Sequence, residues 1–185
     1  MDIQKFAIKY FLEKGQSVEP ETWFRTFNSW IPDEKDEVWI DVADYSHVRE
    51  GPVTLLVGHE ANYCIDNGNG NLGLLYTRKR PVDGTLSNRL ETAFKAVCTT
   101  CHRLEEDVNV KFDGSRAQLA LNDRLSAPNT SETMEAVRDD LEKVINKLYS
   151  GAKFSIEKGL EERNRLTINI NVEGSWSVGK LLENL

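Results

Sequence analysis

Residues 41–80 read DVADYSHVREGPVTLLVGHEANYCIDNGNGNLGLLYTRKR, and the two-residue rhythm inside this stretch sets the fold class. Side chains on a strand point alternately to opposite faces. Val53, Leu55 and Val57 share one parity, which continues through His59 to Ala61, Tyr63 and Ile65. The stretch therefore reads as one strand with a histidine set into its apolar face. Asn67-Gly68-Asn69-Gly70 then marks a hairpin, because Asn and Gly accept positive φ. Leu72, Leu74 and Tyr76 form the returning strand, and Val38, Ile40 and Val42 alternate as the strand before.

Working outward, Phe6, Ile8, Tyr10 and Leu12 alternate as a first strand closed by Gly15. Pro20 suits the first turn of a helix, where its missing N–H costs nothing. Trp23, Phe24, Phe27, Trp30 and Ile31 lie on one helical face, and Pro32 stops the helix. A long helix from about Leu86 to Glu106 carries the stripe Leu86, Leu90, Ala93, Phe94, Val97, Cys101 and Leu104. Asp113-Gly114 signals a further turn, followed by a strand through Ala117, Leu119 and Leu121. A second long helix has the seam Met134, Val137, Leu141, Val144, Ile145 and Leu148, ended by Gly151. Phe154 and Ile156 mark a strand.

Leu166, Ile168, Ile170 and Val172 alternate with Arg165, Thr167, Asn169 and Asn171, so that strand has one buried and one wet face, the mark of an antiparallel sheet. The end of the chain, with Trp176, Val178, Leu181 and Leu182, docks as a short helix. The element order β-α-β-β occurs twice. It predicts an α+β fold, an antiparallel or mixed sheet with long helices packed on one face. The expected organisation is a single domain over 1–174, with halves at about 1–106 and 107–174, and a tail over 175–185.

The chain has 185 residues, 39% hydrophobic residues and a formal net charge of −7. It is long enough to bury a core without disulfides or metal, and its apolar content excludes general disorder. The acidic balance argues against nucleic acid as a partner. Arg78-Lys79-Arg80 is a short basic run, read as a solvated strand end. The opening residues MDIQKFAIKYFLEKG are interrupted by charges, unlike a signal-peptide core, and no window approaches the ~20 apolar residues of a membrane span. Cys64, Cys98 and Cys101 are few and odd in number, which fits a reduced, cytoplasmic protein.

Several motifs are approached and missed. Cys98-Thr99-Thr100-Cys101-His102 matches the C-x-x-C-H of covalent haem attachment, but Cys101 lies in the middle of a helix's apolar stripe and Cys98 at its edge, so packing accounts for both. His59-Glu60-Ala61-Asn62-Tyr63 lacks the second histidine of H-E-x-x-H and lies on a strand. The loop Asp66 to Asn71 fails as a calcium site, because the ligand and glycine positions are wrong. No phosphate loop or nucleophile elbow is present. No cofactor and no metal site is expected.

What survives is a constellation. Asp44, Tyr45 and His47 close one strand; His59, Glu60, Tyr63 and Asp66 lie on the next; Tyr76 and Arg78 follow the hairpin. If these strands are neighbours, the polar tips converge on a shared hollow, walled by the aromatic side chains that crowd the first half of the chain. Three readings follow. The leading one is a non-enzymatic cytoplasmic domain that binds a small ligand or a protein partner. The second is a metal-assisted or acid–base enzyme, using His47 or His59 with Glu60 or Asp66. The third is a structural homo-oligomer.

The DVADYSHV, GHEANY and GLLY-x-R-K segments within residues 41–79 resemble a block in a family of uncharacterised bacterial proteins, which implies no activity. The doubled β-α-β-β order is similar to the effector-binding domains of multidrug-sensing transcription regulators and the related haem-binding proteins. That resemblance implies a small molecule held between two halves; it rests on topology, which does not fix function.

Overall fold

The computed structural model describes residues 2–33, 37–159 and 165–185. The strands are β1 (Phe6–Leu12), β2 (Trp39–Asp44), β3 (Pro52–Gly58), β4 (Ala61–Asp66), β5 (Gly73–Arg78), β6 (Phe112–Leu121), β7 (Phe154–Lys158) and β8 (Thr167–Val172). They form one eight-stranded sheet in the order β2-β3-β4-β5-β1-β6-β8-β7. Every pairing is antiparallel. The helices are α1 (Pro20–Trp30), α2 (Leu86–Val108), α3 (Ser131–Leu148) and α4 (Val178–Glu183). The fold is α+β, as the element order predicts.

The two central strands, β1 and β6, each open one β-α-β run. After α1 the chain builds β2 to β5 and returns β5 to the flank of β1; after α3 it builds β7 and β8 and returns β8 to the flank of β6. This repeats one path on two sides of the β1–β6 seam. Phe6, Ile8 and Tyr10 face the helices and are buried. Tyr10 meets Phe94 of α2 edge-on at 6.4 Å and shares a 3.2 Å hydroxyl contact with Tyr149. Trp30, Trp39, Tyr63 and Tyr76 continue this layer as successive ring contacts from α1 across the sheet. Each such ring removed from water contributes about 2–3 kcal/mol, so this layer binds the helices to the sheet.

Local signals explain the helix limits. Pro20 starts α1, and the helix ends just before Pro32. Thr85 and Asn88 cap the start of α2 reciprocally, and Asn109 closes it in the left-handed conformation at φ 59°. The whole predicted α2 stripe is buried. The chain's last helix docks as expected, with Val178 and Leu181 buried.

Three expectations need correction. The strand read from Val53 to Ile65 is a hairpin, with β3 and β4 separated at His59 and Glu60. Glu37 holds this turn: its Oε1 accepts the backbone N–H groups of Glu60 at 2.6 Å and Ala61 at 2.9 Å. The short turn conceals itself in the sequence because apolar parity is the same on both sides of it. In β3, Thr54 and Leu56 are the fully buried residues, while Leu55 and Val57 look toward solvent.

In β2 the alternation is inverted too. Val38 and Ile40 are 51% and 56% exposed at the sheet edge, and Trp39 is buried. Lastly, Asp113-Gly114 is no hairpin turn but lies inside β6. There Tyr10 pairs with Ala117 and Phe11 with Asp113, so Gly114, Ser115 and Arg116 stand opposite a single step of β1. This wide bulge keeps its pairing to β8 through Arg116 and Asn171 while parting from β1.

Candidate functional site

The face of the sheet away from the helices is set by the other parity of each strand. Along one row it carries Ala43, Leu55, Cys64, Leu75, Lys9, Gln118, Asn169 and Glu157, residue opposite residue. The row is apolar on the β2–β5 side and polar from β1 onward. Where β6 bulges away from β1, a groove of about 300 Å³ opens over the polar half. Its floor is Lys9, Phe11, Arg116, Ala117 and Gln118. Gly68, Asn69 and Asn71 of the β4–β5 turn form one wall, and Glu157, Asn169 and Asn171 form the other.

The bulge positions the groove. Gly114 N–H donates to the Trp176 carbonyl at 3.1 Å, and the Gly114 carbonyl accepts the Tyr149 hydroxyl at 2.8 Å. A side chain at 114 would collide with Trp176, since a Cβ there would lie 2.4 Å from its oxygen. Ser115 is fixed by Asp113 and by the Gly174 carbonyl. Arg116 is thereby carried over the Phe11 ring at 5.0 Å, with Lys9 at 5.4 Å from the same ring. Cation–π contact of this kind steadies both heads over an apolar support.

Lys9 is 4% exposed, and its Nζ donates to Asp66 Oδ2 at 2.6 Å. The same oxygen accepts Gly68 N–H at 3.1 Å. One carboxylate therefore neutralises the buried ammonium and ties down the Asn69-bearing turn, where Asn69 itself sits at φ 56°. Across the groove, Gln118 Nε2 donates to Asn169 Oδ1 at 2.9 Å.

The nine residues predicted from the sequence fall in separate places. Asp44 ends β2, exposed, and accepts Ser46 N–H at 2.8 Å; that hydrogen bond holds its carboxyl below the usual range. Tyr45 and His47 follow it in an exposed loop, ring beside ring at 6.4 Å. His59 and Glu60 form the opposite end of the β3 hairpin. At roughly 3.3 Å per strand residue, His47 and His59 are on the order of 20 Å apart.

Glu60 pairs with Arg78 at 2.7 Å, and His59 Nε2 is 3.7 Å from Glu60. His59 does not sit on an apolar face: its side chain is 48% exposed at the turn. Tyr63 and Tyr76 are buried under the helices, where burial raises both phenols, that of Tyr63 well above its ordinary range. None of the nine lines the groove; Asp66 stands behind it, holding the lining residues Lys9 and Gly68. The proposed hollow shared by three strands is therefore replaced by an ion-paired turn, an exposed loop and a packed aromatic layer. Among the described residues no group of three or more His, Cys, Asp or Glu gathers as a metal ion would require.

The groove residues that sequence reasoning missed had a signal: Lys9 on the off-parity of an apolar strand, and Asn169 and Asn171 on the wet face of β8. The order of the strands, which brings them together, had none.

Cys98 and Cys101 are fully buried in α2, and Cys64 is buried in β4. Burial pushes the Cys64 and Cys98 thiols up to about 12, and Cys101 well above its usual range. Thiolate is the reactive form. An aromatic disulfide reagent at pH 8 is therefore expected to titrate no thiol in the native protein over minutes, and all three cysteines once the chain is denatured. Rapid native reaction would contradict the burial of the cysteine that reacts, Cys64 in β4 or Cys98 and Cys101 in α2. Because the folded thiols hold their protons better than unfolded ones, their contribution to stability is complete below about pH 9 and is lost as pH rises toward 12.

A scan against models of known protein families and a search of curated protein sequences return no match to this chain. No helix among the described residues is long and apolar enough to cross a membrane.

Proposed function

We propose that this chain is a non-enzymatic, cytoplasmic binding protein whose ligand is a small polar molecule held in the groove over the β1–β6 bulge. The observation that carries this reading is the groove's construction. A bulge anchored by four hydrogen bonds opens the sheet beside a lining rich in carboxamides. A volume of about 300 Å³ lies at the small end of the roughly 300–1,000 Å³ spanned by ligand sites. The lining is dominated by carboxamides, which do not titrate and so recognise rather than react. Three buried, unpaired cysteines support a reducing compartment.

A thermal-shift screen against a chemically diverse set of small polar metabolites tests this. A compound present at about 100 times its Kd stabilises by roughly 2.7 kcal/mol, a rise of about 5–10 °C for a chain of this size. That rise is expected to vanish in the double variant Arg116→Ala, Asn171→Ala. A screen with no stabilising compound, or a stabilisation that survives the double variant, would overturn the reading.

A further inference from the structure

We propose that the groove's ligand is an uncharged polyhydroxylated molecule, a saccharide, held by the carboxamides of Asn69, Gln118, Asn169 and Asn171. This rests on the reading of the groove as a binding site and names the chemistry that site selects. A carboxamide offers a donor pair and an acceptor on one planar group. A sugar hydroxyl likewise donates and accepts, so a cluster of amides suits a ring whose every edge carries hydroxyls.

The charges around the groove argue the same way. Lys9 is already neutralised by Asp66 at 2.6 Å, and Arg116 lies 4.0 Å from Asp113. Glu157 adds an exposed carboxylate on the facing wall. With the partners behind the lining counted, three carboxylates (Asp66, Asp113 and Glu157) stand against two cations (Lys9 and Arg116), so no net positive charge draws an anion into the groove. An apolar ligand would strip water from several amides without replacing their hydrogen bonds, which is costly.

The hydrogen bond from Gln118 to Asn169 also fixes the polarity of the site. It leaves the Gln118 carbonyl as an acceptor and the Asn169 amino group as a donor on neighbouring strands, at paired positions. Facing donor and acceptor groups about 5 Å apart across two strands match a pair of hydroxyls on one ring.

The test uses the full-length, ¹⁵N-labelled chain observed by NMR. Glucose, galactose, mannose, N-acetylglucosamine and their short oligomers are titrated to millimolar concentration, beside glucose 6-phosphate, glucuronate and the free amino acids. The expected result is that at least one neutral sugar moves the side-chain NH₂ signals of Asn69, Gln118, Asn169 and Asn171 saturably. Asn171→Ala lies on an exposed strand position, leaves the core untouched, and is expected to weaken that binding roughly tenfold. If charged compounds move these signals and neutral sugars do not, the saccharide assignment falls while the groove remains a binding site. If no compound of any class moves them, the binding reading falls and takes the assignment with it. Sugar binding at full strength in Asn171→Ala also overturns the proposal.

Discussion

Replacing Gly73 with alanine is expected to lower the stability of the fold by about 3 kcal/mol or more. A Cβ on Gly73 would stand 2.1 Å from the Tyr10 carbonyl oxygen and 3.0 Å from the Phe11 Cα. Both atoms belong to the backbone of β1, which is paired to β5 on one side and β6 on the other. Tyr10 is also held by Phe94 and Tyr149. No flexible side chain is available to move aside, so the strand itself must shift. Urea unfolding should show the midpoint fall with little change in slope, and Tm should drop by about 6–12 °C. A loss of under about 1 kcal/mol would mean that β1 and β5 approach less closely than a 2.1 Å Cβ–oxygen clearance requires.

Asp66→Ala is expected to cost a comparable amount, roughly 3–5 kcal/mol, for a different reason. It strands the Lys9 ammonium, whose side chain is 6% exposed, without its partner at 2.6 Å. It also removes the acceptor for Gly68 N–H, so the turn at one wall of the groove loosens. The double variant Lys9→Met, Asp66→Leu should recover most of the loss, because a matched apolar pair is often as stable as a buried ion pair. Denaturant unfolding of Lys9→Met, Asp66→Leu and the double variant closes this cycle. Near-additive losses would show that the two groups are not coupled.

How far the sequence reaches is visible in the same residues. The apolar parity of β1, the stripes of α2 and α3 and the alternation of β8 are local consequences of burial, and each was legible. The turn at His59 and Glu60 was not. It is fixed by Glu37, more than 20 residues earlier in the chain, and the apolar parity runs across it undisturbed. The inversion in β2 has a similar cause: at an edge, Trp39 takes the buried position because it completes the ring layer with Trp30 and Tyr63. Asp113-Gly114 is a turn by composition, but the glycine serves the Trp176 carbonyl instead. The groove was out of reach because Lys9, Gln118 and Asn169 meet only through the order β1-β6-β8, which no local pattern encodes.

The seam between β1 and β6 also sets a timetable for synthesis. Phe6–Leu12 is synthesised roughly 100 residues before its partner Phe112–Leu121. At about 5–20 residues per second, β1 waits on the order of 5–20 s with its flank toward β6 unpaired. During that wait the β2–β5 ribbon and α1 are its available shelter, which makes the first half of the chain the unit that must condense before the second half arrives.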